Sequence, residues 1–158
     1  MALDNATRIC GAAIFQDKNL TYSGTIEANK NEKNYMNRIE EIFNRIRELV
    51  KQYNINYIVF EDSHLARSAG NNVDTLKKLC RLQGAIMSIG FLEDVGLYLF
   101  SPAEWRSKLW KNCGNKREVQ KKLAVDYVNE HYGLSLDYGE HDRAEAICLG
   151  TAFLKIQK

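Results

Sequence analysis

Apolar and polar residues follow two different periods along the chain, and the order of those periods predicts the fold. Residues 9–15 are apolar at nearly every position, as in a strand buried on both faces. Residues 20–26 alternate as a further strand beyond a polar turn, and residues 1–4 resemble the end of a short first strand. The opening of the chain therefore predicts a three-stranded antiparallel meander.

Helical and strand patterns alternate in the rest of the chain. Apolar side chains recur at three- and four-residue steps in four long predicted helices, at residues 33–53, 73–91, 116–131 and 141–156. Two more strands are predicted at residues 55–60 and 95–100, a loop at 63–72, and a short helix at 103–110. The order β-β-β-α-β-α-β-α-α predicts an α/β protein with a mixed five-stranded sheet flanked by helices.

Composition favours one soluble domain that spans residues 1–158. The chain is 45% hydrophobic and 27% charged, and it has a single proline. Its four cysteines form no C-x-x-C pair, which favours free thiols over disulfides or zinc. No apolar run approaches the roughly 18 residues that span a membrane. We therefore expect a cytoplasmic protein without a membrane partner.

Four carboxylates stand where elements of the predicted fold end or begin. Asp4 and Glu61 directly follow apolar strands, and Asp142 and Glu145 open the last helix three residues apart. Residues at i and i+3 share one helix face. If the first and fourth strands are neighbours, all four carboxylates can meet beyond the strand ends.

Clustered carboxylates repel one another, and a hard divalent cation such as Mg²⁺ relieves that repulsion. Two such ions about 3.5–4 Å apart can bind both sides of a phosphodiester. The alternative is structural, because acids at helix N-termini favour the helix dipole. That alternative explains Asp142 and Glu145 when each is considered alone, but it gives no structural reason for Asp4 and Glu61.

Six short segments, in this order, resemble the RuvC-type Holliday junction resolvases. They lie at residues 3–7 (LDNAT), 10–13 (CGAA), 58–61 (IVFE), 82–85 (LQGA), 114–119 (GNKREV) and 141–147 (HDRAEAI). Glu145 is a glutamate where many family members have aspartate. His64 stands where members often carry an aromatic residue, and the stretch that follows it is several residues longer.

The resemblance implies a ribonuclease H-like fold, a homodimer and an endonuclease that cuts four-way DNA junctions by paired nicks. Its metal ligands by position are Asp4, Glu61, Asp142 and Glu145, with two Mg²⁺ or Mn²⁺ ions per site. Lys116 matches a family position near the active site, where a lysine could stabilise charge on the phosphate. His141 is either a partner of Asp142 or an ordinary helix-capping residue. The second long helix is the candidate dimer surface, or else it faces the core of one subunit.

Basic residues concentrate between residues 106 and 122, although the net charge of the whole chain is only +2. Lysine and arginine contacts to phosphates release counterions and supply affinity for DNA; a solvated helical face is the alternative. Residues from the loop and the second helix could extend this surface. The predicted DNA contacts are His64, Arg67, Lys77, Lys78, Arg81, Arg106, Lys108, Lys111, Lys116, Arg117 and Lys121.

Two other functions compete with junction resolution. One is a broader nuclease of the same fold that acts on flaps, forks or RNA–DNA hybrids, which the unusual loop at residues 63–72 motivates. The other is a DNA-binding module without catalysis, which the presence of all four acids opposes. The chain has no dinucleotide fingerprint, no P-loop and no nucleophile elbow, so a small-molecule enzyme of those classes is disfavoured.

Overall fold

Five strands form one mixed sheet in the computed structural model, which describes residues 1–63 and 73–157. The strands are β1 (Ala2–Asp4), β2 (Ile9–Gln16), β3 (Asn19–Glu27), β4 (Tyr57–Glu61) and β5 (Gly96–Phe100). Their order across the sheet is β3-β2-β1-β4-β5. The first three strands pair antiparallel, whereas β4 is parallel to both β1 and β5. The predicted meander and the predicted parallel strands are both confirmed.

The helices lie close to their predicted positions. They are α1 (Tyr35–Gln52), α2 (Val73–Leu92), α3 (Pro102–Leu109), α4 (Arg117–Tyr132) and α5 (His141–Ile156), with a 3₁₀ turn at Tyr138–Glu140. The side chain of Asn34 accepts a hydrogen bond from the Met36 amide and so begins α1. Ser101 caps α3 in the same way, with Pro102 in the first helical turn. Gly133 ends α4 in the left-handed conformation.

Two apolar layers bury the two faces of the sheet. One layer joins α1 and α2 to alternate residues of the strands, including Leu3, Ile58 and Phe60. The other joins α3, α4 and α5 to the opposite residues, including Ala2, Val59 and Phe100. This two-sided burial explains why β2 and β4 are apolar at consecutive positions. In the part of the chain that the structure describes, no helix combines the length and apolarity needed to span a bilayer.

Candidate metal centre

The ends of β1 and β4 bring Asp4 and Glu61 side by side. The two strands are parallel neighbours in which Leu3 pairs with Phe60, so the following residues leave the sheet at the same edge. Asn5 ties these ends together, because its Nδ2 donates to the Glu61 carbonyl oxygen at 3.1 Å. The first and fourth strands are therefore neighbours, as the convergence of the carboxylates requires.

Helix α5 adds the second pair of acids. It packs along β1 and β2 with Asp142 and Glu145 in its first two turns. Carboxylate oxygens of Asp4, Asp142 and Glu145 all lie within 4.8 Å of one another. Three of the four predicted ligands thus form one group, at a separation that a shared cation can bridge.

Glu61 lies beside this group, but its carboxylate also contacts α3. Its Oε2 accepts a hydrogen bond of 2.7 Å from the indole Nε1 of Trp105. The Arg106 guanidinium lies between two acids, with Nη2 at 3.2 Å from Glu145 Oε1 and at 3.9 Å from Glu61 Oε2. Arg106 therefore links the fourth acid to the other three.

Burial and mutual repulsion oppose full ionisation of the cluster. Burial raises the pKa of Asp4 well above its usual range, and the charges of Glu145, Glu61 and Asp142 raise it further, while Arg117 acts in the opposite direction. Burial also raises the pKa of Glu145, which Glu61 reinforces and Arg106 opposes. Without a bound cation, Asp4 and Glu145 therefore hold their protons more tightly than free carboxyl groups do.

The donor set fits a hard divalent cation. Each donor is a carboxylate oxygen, the ligand type that Mg²⁺ and Mn²⁺ prefer. A bound cation would also relieve the repulsion that raises the pKa of Asp4. Asp4, Asp142 and Glu145 are the residues that could hold a first ion, and Glu61 could complete the site for a second.

Comparisons with known proteins connect this geometry to a family. No protein-family model matches the chain. A curated protein from Brachyspira hyodysenteriae, named crossover junction endodeoxyribonuclease RuvC, is 25% identical over 156 residues, which cover 96% of this chain and 91% of that protein. The chain is similar to this RuvC over nearly its whole length. The predicted resemblance to RuvC-type resolvases is confirmed.

Solved structures show the same fold. Thermus thermophilus RuvC in complex with a Holliday junction substrate superposes with a TM-score of 0.74 at 15% identity, over 96% of this chain and 88% of that one. A second T. thermophilus RuvC structure gives 0.70 at 14% identity, with 96% and 90% covered. The yeast mitochondrial Holliday junction resolvase Ydc2 gives 0.58 at 14% identity, with 98% and 76% covered. The predicted ribonuclease H-like fold is thereby confirmed.

Other residues that the sequence predicts for the site lie at different positions around the acids. Lys116 is the exposed N-cap residue of α4. Its neighbour Arg117 is the basic residue whose charge partly offsets the rise in the pKa of Asp4. His141 begins α5, with Nε2 at 3.3 Å from Asp142 Oδ1 and Nδ1 at 3.1 Å from the Tyr138 carbonyl oxygen. A role for His141 as a partner of Asp142 therefore has geometric support.

Apart from Arg106, the predicted DNA contacts fall into three groups. Lys108, Lys111, Lys116 and Arg117 are exposed, and Lys121 is half-buried. On α2, Lys77 is exposed, whereas Lys78 and Arg81 lie against the ring of Tyr35, with Lys78 Nζ at 5.6 Å and Arg81 Cζ at 5.4 Å from its centroid. His64 and Arg67 lie outside the described residues.

Sequence reasoning missed the part that α3 plays in the site. It gave Trp105 no role in the site, and it placed Arg106 among the DNA contacts. In the structure Trp105 is 2% exposed and donates to Glu61, and Arg106 lies between two acids. A usable signal was present, because α3 directly follows β5, which neighbours β4 at the sheet edge that carries Glu61.

Proposed function

We propose that this protein is a divalent-metal-dependent endodeoxyribonuclease that resolves four-way DNA junctions by paired nicks. The observation that carries the proposal is the convergence of Asp4, Asp142 and Glu145, with carboxylate oxygens within 4.8 Å of one another, beside Glu61. The RuvC named in B. hyodysenteriae and the junction bound to T. thermophilus RuvC support this choice of reaction and substrate.

The chain's own residues supply ligands, orientation and charge. Two Mg²⁺ or Mn²⁺ ions, when bound, would activate a water molecule and stabilise the leaving 3′-oxygen. Asp4, Asp142, Glu145 and Glu61 would hold the ions. His141 orients the Asp142 carboxylate from 3.3 Å. Each cut leaves a 5′-phosphate and a 3′-hydroxyl.

Basic side chains at the start of α4 would hold the DNA backbone. Lys116 and Arg117 are exposed at the first turn of the helix, where free backbone amides also favour an anion. Arg117 is close enough to Asp4 to affect its pKa, so a phosphate bound there lies near the acids. Lys108 and Lys111 would extend this contact along the preceding segment.

The working enzyme would be a homodimer that joins through α2. This helix exposes two adjacent large apolar side chains near its C-terminus, Phe91 at 74% and Leu92 at 63%. Exposed apolar surface of this kind favours association. A two-fold dimer presents two acidic sites, which matches the approximate symmetry of a four-way junction. The four free thiols favour a reducing cytoplasm as its location.

The test is cleavage of a synthetic four-way junction with Mg²⁺, with Mn²⁺ and with EDTA. We expect cleavage with either ion, none with EDTA, and a loss of at least about 100-fold in Asp4→Asn and in Glu61→Gln, since each removes a charged ligand. Asp94→Asn is the matched control, because Asp94 is an exposed aspartate in a left-handed conformation that asparagine tolerates. Cleavage that survives both ligand substitutions would overturn the proposal.

The same assay separates junction resolution from the broader nuclease activity. Rates on a four-way junction are compared with those on a flap, a fork and an RNA–DNA hybrid of matched length. Paired symmetric nicks in the junction support resolution. A higher rate on the hybrid would reassign the enzyme to the broader class, and binding without any cleavage would indicate a DNA-binding module.

A further inference from the structure

Arg106 is a cation inside the acidic site rather than on the DNA-binding surface. Its side chain is 14% exposed, and the side chain of Glu145, whose carboxylate it contacts at 3.2 Å, is 12% exposed. The guanidinium carbon also lies 4.5 Å from the centroid of the Trp105 ring. Flanked by an indole and two carboxylates, Arg106 has little freedom to reach solvent.

The charge of Arg106 offsets part of the repulsion within the cluster. It contacts Glu145, and it lies 3.9 Å from Glu61 Oε2. Repulsion among the carboxylates of Asp4, Asp142 and Glu145, whose oxygens lie within 4.8 Å of one another, is strong where water is partly excluded. The metal-free site is therefore stabilised by a positive charge that the protein itself provides.

The contact between Arg106 and Glu145 has a form that a metal ion can displace. Only Nη2 bonds Glu145, and within residues 1–63 and 73–157 the buried Nε finds no hydrogen-bond partner. A bidentate guanidinium–carboxylate pair would hold the acid more firmly. The bonded oxygen, Glu145 Oε1, belongs to a carboxylate that would hold a divalent ion.

We propose that Arg106 is a positioning residue that serves as an internal counter-cation, stabilising the metal-free site and competing with divalent ions for Glu145 and Glu61. The identity of the competing ions rests on the proposed function. The consequence is that the DNA-free protein binds metal more weakly than it would if the same four carboxylates had no Arg106 beside them.

The experiment compares full-length Arg106→Gln, Arg106→Lys and wild type by calorimetric titration with Mn²⁺ in the absence of DNA. Removing a positive charge next to two ligands should tighten Mn²⁺ binding by about tenfold or more in Arg106→Gln. Arg106→Lys keeps the charge and should stay within about threefold of wild type. The matched control is Arg45→Gln, because Arg45 pairs with Glu48 on the exposed face of α1 and should have no effect. Unchanged or weaker Mn²⁺ binding by Arg106→Gln would overturn the competition.

A second readout uses no metal and so separates this inference from the proposed function. In EDTA at pH 7.5, Arg106→Gln should lower the melting temperature by roughly 5 °C or more, because it leaves two partly buried acids without their cation. The loss should shrink by at least half in a Glu145→Gln background. An equal loss of melting temperature in both backgrounds would reject the counter-cation role. If instead the loss shrinks as expected but the wild type binds no Mn²⁺, only the metal-dependent function is rejected.

Arg106→Gln could also fail to fold when metal is absent. If Arg106→Gln does not fold in EDTA, refolding is repeated with Mn²⁺ present. The counter-cation role predicts that Mn²⁺ restores the folded protein, since the ion replaces the missing charge. Failure of Mn²⁺ to restore folding would show that Arg106 is needed for packing alone.

Discussion

Gly11 lies so close to the backbone of Asp142 that a Cβ added at this glycine would stand 1.9 Å from the Asp142 carbonyl oxygen. Gly11 also pairs with Asp4 across the antiparallel β1–β2 ladder. Because Gly11 has no side chain, the start of α5 can approach the strand end that carries Asp4. The separation of the carboxylates depends on this contact.

Gly11→Ala should therefore push α5 away from the sheet and spread the acids. The added methyl group meets backbone atoms that cannot rotate away, so we expect a loss of about 1–3 kcal/mol in the free energy of unfolding. Urea denaturation checks this value, and Mn²⁺ titration should show at least tenfold weaker binding. Gly84→Ala is the control, because a Cβ there meets nothing within 4 Å and Mn²⁺ affinity should not change. Wild-type Mn²⁺ affinity in Gly11→Ala would contradict this account of the site.

The raised pKa of Asp4 predicts how stability depends on pH when metal is absent. In the folded protein this carboxyl keeps its proton at pH values above its ordinary pKa of 3.8. Between that pH and the raised pKa, the folded state therefore binds more protons than the unfolded state. Stability must then fall as the pH rises from about 4 through the raised folded pKa. Asp4→Asn removes this penalty and should melt at least about 3 °C above wild type at pH 7.5 in EDTA.

The measurement is the melting temperature of wild type and Asp4→Asn from pH 4 to 8 in EDTA, followed by circular dichroism. The difference between the two proteins should widen with pH. Saturating Mn²⁺ should raise the melting temperature of wild type and have little effect on Asp4→Asn. If the melting temperatures of the two proteins in EDTA change in parallel with pH, the pKa of Asp4 is not raised in the folded protein.

The hydrogen bond from Trp105 to Glu61 should matter for catalysis beyond its contribution to packing. Trp105→Phe keeps an aromatic ring but removes the donor 2.7 Å from Glu61 Oε2, so the carboxylate loses its fixed orientation. We expect junction cleavage to fall about 10- to 100-fold, the usual effect of removing such a partner of a metal ligand.

Trp110→Phe is the control for this change. Trp110 packs edge-to-face between Trp105 and Tyr127, at centroid distances of 5.9 and 5.6 Å. Trp110→Phe should cleave the junction at a rate within about threefold of wild type. If the two phenylalanine variants lose equal activity, the effect comes from aromatic packing and not from the bond to Glu61.

The exposed end of α2 should hold two subunits together. Phe91→Ser removes the most exposed of the large apolar side chains in the described chain, at 74%. We expect sedimentation to report a monomer, and cleavage to give single rather than paired nicks, with the fold unchanged. Met36→Ser on α1, where Met36 is 49% exposed, should sediment as wild type does. A wild type that is already monomeric on junction DNA would contradict the dimer.

Much of the fold and the acid positions could be predicted because they depend on short-range patterns. Buried strands of this sheet need consecutive apolar residues, and α5 needs its acids three residues apart to present them on one face. Asp4 and Glu61 stood out because each follows an apolar strand directly. The ordered segments that resemble RuvC-type resolvases then indicated which acids belong together.

The sequence by itself thus determined the order of the elements and the identity of the acids, since both are properties of neighbouring residues. The tertiary structure alone decided that Gly11 leaves room for α5, that Trp105 donates a hydrogen bond to Glu61, and that Arg106 lies between two acids. Each of these relationships joins segments more than 35 residues apart in the printed chain. They depend on strand register and on how helices pack over a sheet, and no local period encodes either.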